Sequence, residues 1–525
     1  MSNQGTPRLF IYVITAIGLL AAVLFGQYAG QGNIKNIFMA FGACAGVAFF
    51  LILGKNYWML LVFAFTSGLP ALPIGGKTME LGELASFACF VVFLAMVALR
   101  KNNMRLGGIA NLSVFAFIGW MLYIYSQNPV GMGMLGAQDV GIRGYLKNIF
   151  ALFAFLVISN QIVTERDCKW LLRIIVIGPF LALGWSILQY KFLGAGGFES
   201  DEGLYTWHQS LSTPAFVTIL YIFCKYGANR VLSMSFPALL PLVIALIGVA
   251  LLSGKRAVAA SALLTPLVAT MLRGQQKYAL IFAIGSSLVI SVLVVGQGNL
   301  FELPYTVQRA LVNLPGDWDS NLLTMRGEAG DSFRETMRKL AWERIQKNPI
   351  VGEGMGFSMS DVANINPGNY AQNIEISLAL GNSWHNTWLG LWADFGLPAI
   401  VIHAVICILC GATLWRAFSK SRPARNTNPS AFNIVAMMIL IQFIFFMLRS
   451  YTSGSSNIPY NFWWEFGLAV AMLRSLPRKA QDQMQPSSTP RSQDSQPEPG
   501  FQTTKKNEYC CNNHPTTNTS NADAR

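Results

Sequence analysis

Charge is what this chain has least of. Asp, Glu, Lys and Arg make up 12% of its 525 residues, about half the ~25% of an ordinary soluble domain. Hydrophobic residues reach 53% and mean hydropathy is +0.42, which excludes a water-soluble globule and predicts a membrane protein with many spans. Histidine is scarcer still, with 4 copies, so few side chains can exchange a proton near neutral pH. The cysteines are placed where an external disulfide cannot form. Cys44, Cys89, Cys407 and Cys410 fall within apolar runs, and Cys168, Cys224, Cys510 and Cys511 fall on or near the predicted cytoplasmic side. No cleavable leader is expected either, because Leu9 to Gly26 is followed by further spans and reads as the first anchor.

What is present in abundance is apolar sequence of spanning length. Runs recur at 9–26, 37–53, 58–74, 84–99, 109–125, 145–163 and 170–190. They continue at 211–226, 236–253, 257–272, 278–295, 387–415, 431–448 and 462–473. The expected fold is therefore all-α and polytopic, with about 12–14 transmembrane helices and one large extracytoplasmic loop. Four regions follow: transmembrane helices in 1–298, the loop in 299–384, transmembrane helices in 385–476, and a Gln-, Ser- and Pro-rich cytoplasmic tail in 477–525, expected to be disordered. An N-terminus inside places the basic residues of the short loops, such as Arg100, Arg105, Lys169, Arg273 and Arg416, on the cytoplasmic side. Much of the formal +13 charge is then a topology signal facing anionic lipid, and nucleic-acid binding is not expected.

The same topology exports the loop 299–384 and the 194–210 loop with His208. Within the large loop, D-S-F-R-E-T-M-R-K-L-A-W-E-R-I-Q-K-N-P spaces Phe333, Met337, Leu340 and Ala341 as one face of a helix that Asn348-Pro349 would end. Arg334, Arg338 and Trp342 line an adjacent face, suited to a phosphate or a sugar ring as well as to anionic lipid. Gly352 to Phe357 (G-E-G-M-G-F) lacks the strand and crossover of a nucleotide site and reads as a tight turn back to the membrane. D-W-D at Asp317 to Asp319 reads as a solvated turn, and Cys510, Cys511 and His514 lie in the flexible tail, so no metal and no cofactor is expected. Lys255 and Arg256 sit at the exported end of a span, where cations are generally scarce, and fit an anionic headgroup or pyrophosphate. The loop ends in N-S-W-H-N-T-W-L-G-L-W-A-D-F-G-L-P-A. Ser383 can cap a helix beginning near His385, whose first-turn position would keep the imidazole neutral and able to accept a proton. An interfacial histidine between Trp384 and Trp388 explains the same pattern.

These residues together resemble the O-antigen ligase and O-antigen polymerase superfamily of bacterial envelope glycan transferases. His385-Asn386 with Leu389, Trp392, Asp394 and Gly396 is similar to H-N-x-x-L-x-x-L-x-x-x-G-x-x-G. Arg338 to Trp342, Asn348-Pro349 and Gly352-x-Gly354-x-Gly356 are similar to R-x-x-x-W and N-P-x-x-G-x-G-x-G, and Ser253 to Ala257 is similar to T-G-S-R-G. Lys255 and Ala257 replace Ser and Gly of that last pattern, and Ala399 stands where the first signature usually has Gly or another small residue. The resemblance implies a multi-pass protein of the bacterial inner membrane with its active site facing the periplasm. It also implies a donor glycan carried on undecaprenyl pyrophosphate, and a glycan, lipid or protein acceptor. On that basis His385 and Asn386 are the candidate catalytic residues, while Arg256, Arg338, Lys255, Arg334 and Arg143 are candidates for the donor pyrophosphate. A protein O-oligosaccharyltransferase shares the signature, and a flippase for lipid-linked oligosaccharide would share the hydropathy and the cations.

Overall fold

The computed structural model describes residues 53–67, 72–74, 77–99, 104–105, 108–129, 142–192, 201–233, 236–324, 332–355, 384, 386–422, 428–451 and 460–476. Helices follow the hydropathy closely. They are α1 (Met59–Ser67), α2 (Leu81–Ala98), α3 (Ile109–Gln127), α4 (Arg143–Ser159), α5 (Glu165–Phe192), α6 (Asp201–Val231), α7 (Leu239–Leu252), α8 (Arg256–Leu272) and α9 (Gln276–Gly296). Short helices α10 (Tyr305–Leu311) and α11 (Ser320–Thr324) and the longer α12 (Ser332–Lys347) follow, and then α13 (Thr387–Ser421), α14 (Ala431–Ser450) and α15 (Tyr460–Ser475). A two-stranded antiparallel hairpin, β1 (Leu72–Ile74) and β2 (Lys77–Met79), joins α1 to α2. Seven of these helices are long and apolar enough to cross a membrane, and three shorter apolar ones accompany them. The protein is an all-α polytopic membrane protein.

Two expectations are corrected here. The run 58–74 is not one span: α1 stops at Ser67, and nine residues at 1.5 Å each reach about 14 Å, roughly half a bilayer. Leu-Pro at 69–70 and Pro73 break the helical pattern, and the chain turns back through the hairpin. The segment before α6, expected at 194–210, is also shorter, because α6 starts at Asp201 and includes His208. The runs 9–26 and 37–52, the 477–525 tail and the Cys510, Cys511 and His514 group lie outside the described residues.

Burial orders the bundle from centre to rim. The apolar window of α14 is 72% buried and that of α6 67%, against 11% for α9, so α14 and α6 are central while α9 presents its leucines and valines to lipid. Aromatic residues of α15 fill the centre beside them: Phe462, Trp463, Trp464 and Phe466 are all 1% exposed or less. The basic end of the bundle is tied by arginine to carbonyl contacts. Arg474 donates to Ser159 O at 2.7 Å and Arg273 to Cys224 O at 2.6 Å, while the Glu165 carboxylate accepts from the first amides of α14 at 2.6 and 3.2 Å. The opposite end carries the N-termini of α2, α4, α6, α8, α13 and α15 and the described parts of 297–386, with Lys255, Arg256, Arg338 and Asn386 among them.

Candidate functional site

Helix α12 forms as its periodicity predicts and docks on the start of α13. Met337, Ala341 and Ile345, four residues apart, are buried with Trp384 and Ala393 in one apolar cluster. Arg338 and Lys339 are exposed on the far side, Arg334 is half-buried, and Trp342 packs edge-on against Trp392 with centroids 5.9 Å apart. The segment after α12 then inserts into a break in α13.

That break is written in Phe395-Gly396-Leu397-Pro398. Gly396 takes φ +73° and ψ −176°, a conformation open to glycine and costly for other residues, and Pro398 has no N–H to return to the carbonyl of Asp394. The interrupted helix bonds are taken over by neighbours. Gly354 N donates to Asp394 O at 2.8 Å, Glu353 N to Ala393 O at 3.0 Å, and Leu397 N to Pro349 O at 3.1 Å. The indole of Trp120 on α3 donates to Phe395 O at 2.7 Å, so each freed carbonyl has a partner. The glycines are needed for clearance: a Cβ on Gly352 would stand 2.6 Å from Gly396 N, and one on Gly396 would overlap the Ile350 carbonyl. One residue further on, Met355 N donates to Tyr145 Oη at 2.9 Å, and Gly144 leaves room for the Met355 thioether. The N-terminus of α4, where Arg143 begins the helix, therefore adjoins this junction; the Arg143 side chain lies outside the described residues.

The residues on either side of His385 are held by different means. Trp384 is buried, its indole nitrogen donates to Asp394 Oδ2 at 3.1 Å, and the Arg344 guanidinium lies over its ring 5.1 Å from the centroid. Arg344 in turn pairs with Asp394 Oδ1 at 3.5 Å and Glu353 Oε2 at 3.2 Å. Asp394 has no exposed surface, so this arginine supplies the charge that makes its burial tolerable. On the other side, Asn386 Oδ1 accepts from Trp388 N at 3.0 Å and Leu389 N at 3.1 Å, capping α13. The expectation that Ser383 caps this helix is therefore corrected: both residue types cap well, and the chain uses the one adjacent to Thr387. The helix begins two positions after His385, and His385 itself lies outside the described residues. With its oxygen committed to the cap, Asn386 has only its amide protons to offer a neighbouring group.

Lys255 and Arg256 diverge. Arg256 Nε donates to Arg309 O at 3.2 Å and its Nη1 to Asn313 Oδ1 at 2.9 Å, which pins the end of α10 to the start of α8 beside a separate apolar cluster containing Leu251, Leu311 and Trp318. Lys255 instead lines a cavity of about 360 Å³ between α1, α5, α6, α14 and α15. It keeps access to solvent, yet the walls strip enough water to lower its pKa from the usual lysine value. The structure thus joins the α12 arginines to the Trp384–Asn386 junction and attaches Arg256 to 297–324; no described contact links the two groups. In the D-W-D turn, Trp318 is buried with its indole nitrogen donating to Leu314 O at 2.8 Å, and Asp319 Oδ1 accepts from Asn321 N at 2.8 Å, a helix-start contact.

Sequence reasoning missed Arg344, Asp394 and Glu465. The first two meet across 50 residues of chain, which periodicity cannot reveal. Glu465 carried a readable signal, a lone acid inside the apolar run Trp463-Trp464-Glu465-Phe466. The histidine within α13, His403, is fully buried among Phe117, Trp388 and Phe462 at centroid distances of 6.4, 5.0 and 5.8 Å.

The fold and this junction define a multi-pass helical membrane protein in which the segment after α12 is clamped onto a broken helix. Residues 241–404, which span α7 through the broken part of α13, match the family described as O-antigen ligase, and this supports membership of the O-antigen ligase and polymerase superfamily and O-antigen ligase-type, glycan-transferring activity in general. No curated protein matches the chain.

Proposed function

We propose that the protein transfers a glycan from a lipid-pyrophosphate donor, of the undecaprenyl type, to an acceptor hydroxyl at the periplasmic face of the bacterial inner membrane. The observation that carries this reading is the fixing of Trp384 and Asn386 on both sides of His385 within the family-matched segment. A general base needs a defined position more than an unusual chemistry. His385 takes the proton of the acceptor hydroxyl as that oxygen attacks the anomeric carbon. The bond from this carbon to the pyrophosphate oxygen breaks, its electron pair leaves with the lipid pyrophosphate, and the anomeric centre inverts. Asn386 holds the helix start and turns its amide toward the imidazole or the acceptor. Lys255 at its cavity and Arg338 on the open face of α12 neutralise the leaving group, with Arg334 and Arg143 as outer phosphate contacts. Arg256 acts chiefly by holding the 305–313 segment against α8.

Purified protein offered a defined lipid-pyrophosphate glycan, in chelator, with lipid A core, a second lipid-linked glycan or a Ser/Thr-containing protein supplied separately tests the reading. Transfer to one acceptor with anomeric inversion is expected, and the acceptor names the reaction as ligation, polymerisation or protein O-glycosylation. No transfer to any acceptor, together with donor translocation in sealed vesicles, would replace this reading with a flippase.

A further inference from the structure

The cavity that receives Lys255 takes polar residues from five helices: Thr66 near the end of α1, Ser186 in α5, Thr213 in α6, Gln442 in α14 and Glu465 in α15. Five chain segments thus present polar groups to one space. A carboxylate inside a membrane bundle is costly and is retained where it serves a pathway or a ligand. Glu465 is 5% exposed, and Gln442 Oε1 is buried with no hydrogen-bond partner among the described residues. The volume of about 360 Å³ lies at the lower end of small-molecule sites; it suits one sugar ring with a phosphate and is too small for an oligosaccharide.

The lining also orders a ligand from end to end. Among the described lining residues Lys255 is the cation, while Glu465 and Gln442, on α15 and α14, suit hydroxyl or amide groups. Phe65 and Trp464 form a flat apolar wall against which the C–H face of a pyranose can pack, and the surrounding hydroxyls make the space unsuited to an isoprenoid chain.

We propose that this cavity is a subsite for the sugar bonded to the donor pyrophosphate, in which Lys255 takes the sugar-linked phosphate and Gln442 and Glu465 take polar substituents of the ring. The assignment rests on the functional reading above and extends it by placing donor selectivity at Gln442 and Glu465. It gives Lys255, which departs from the family pattern, the phosphate contact.

Equilibrium binding to the full-length protein in detergent tests the assignment with four probes: a hexose 1-phosphate, a 2-acetamidohexose 1-phosphate, free hexose and inorganic pyrophosphate. At least one sugar 1-phosphate is expected to bind about tenfold or more tightly than free hexose or pyrophosphate, the worth of one charge-assisted contact. Lys255→Ala should weaken both phosphate-bearing sugars, whereas Gln442→Leu and Glu465→Gln should weaken them without changing pyrophosphate affinity. Thr213→Val, a milder change of the same wall, serves if either of the larger changes impairs folding. Pyrophosphate binding as tightly as the sugar phosphates, or sugar phosphates indifferent to Gln442, Glu465 and Thr213, would overturn the assignment. His385→Gln should leave this binding unchanged, so a failure of the subsite and a failure of the proposed transfer are distinguishable.

Discussion

Replacing Asp394 by alanine removes the acceptor of the Trp384 indole and one of the two carboxylates around Arg344. Because Asp394 is fully buried and the Arg344 side chain is 20% exposed, the stranded groups differ in their cost. Arg344 retains Glu353 at 3.2 Å, so Asp394→Ala is expected to cost about 2–3 kcal/mol, between a charged hydrogen bond and the ~3–5 kcal/mol of a broken buried pair. Arg344→Ala leaves the Asp394 carboxylate buried without its cation and should cost about 3–4 kcal/mol. The double variant has no stranded charge at this position, and its loss should fall short of the sum by about 1.5–2 kcal/mol. Thermal unfolding in detergent of the wild type and the three variants gives the cycle, read as a smaller drop in Tm for the double variant than the single losses predict. The same variants should lose transfer, since a displacement of about 1 Å beside His385 costs on the order of 10²-fold. Strictly additive losses in Tm, or parental transfer by folded Asp394→Ala, would refute the reasoning.

Three further outcomes follow from the same contacts. Gly396→Ala and Gly352→Ala each bring a Cβ against backbone and should lower yield and Tm sharply, whereas Gly119→Ala, with open space at its Cβ, should leave both near the parental values; similar behaviour of the three would contradict the clamp. Burial lowers the Lys255 pKa, so its charge is present at low and neutral pH and lost as pH rises through a value below that of ordinary lysine. Donor affinity should therefore fall on the alkaline side, and Lys255→Arg, which stays charged, should move that fall to higher pH; an unchanged profile would remove Lys255 from phosphate binding. Asn386→Ala should cost about 1 kcal/mol as a lost helix cap, and Asn386→Asp or Asn386→Ser should restore Tm through the same cap geometry. Failure of both to restore it would separate the residue's effect from capping.

Most of the transmembrane architecture was legible because hydropathy reports what lipid and core demand along each helix. The run 58–74 misled because its mean hydropathy resembles a span while its prolines dictate a short helix and a hairpin. Helix α12 was legible from Met337, Ala341 and the Asn348-Pro349 stop, all local signals. The glycines of 352–356 read as a turn, yet the reason for Gly352 lies at Asp394 and Gly396, more than 40 residues away. The cap at Asn386 and the opposite directions of Lys255 and Arg256 depend on where a helix starts, to within one residue, and sequence patterns do not carry that resolution. Arg344 and Asp394 looked like ordinary members of a basic helix and a motif; their pairing exists only in the folded chain.

The most direct test of His385 as the general base is the rate of glycan transfer by purified His385→Gln protein, with folding verified by Tm and with donor saturating. A loss of about 10²–10⁴-fold with donor affinity retained is the predicted result. Transfer by that variant at the parental rate would contradict the assignment.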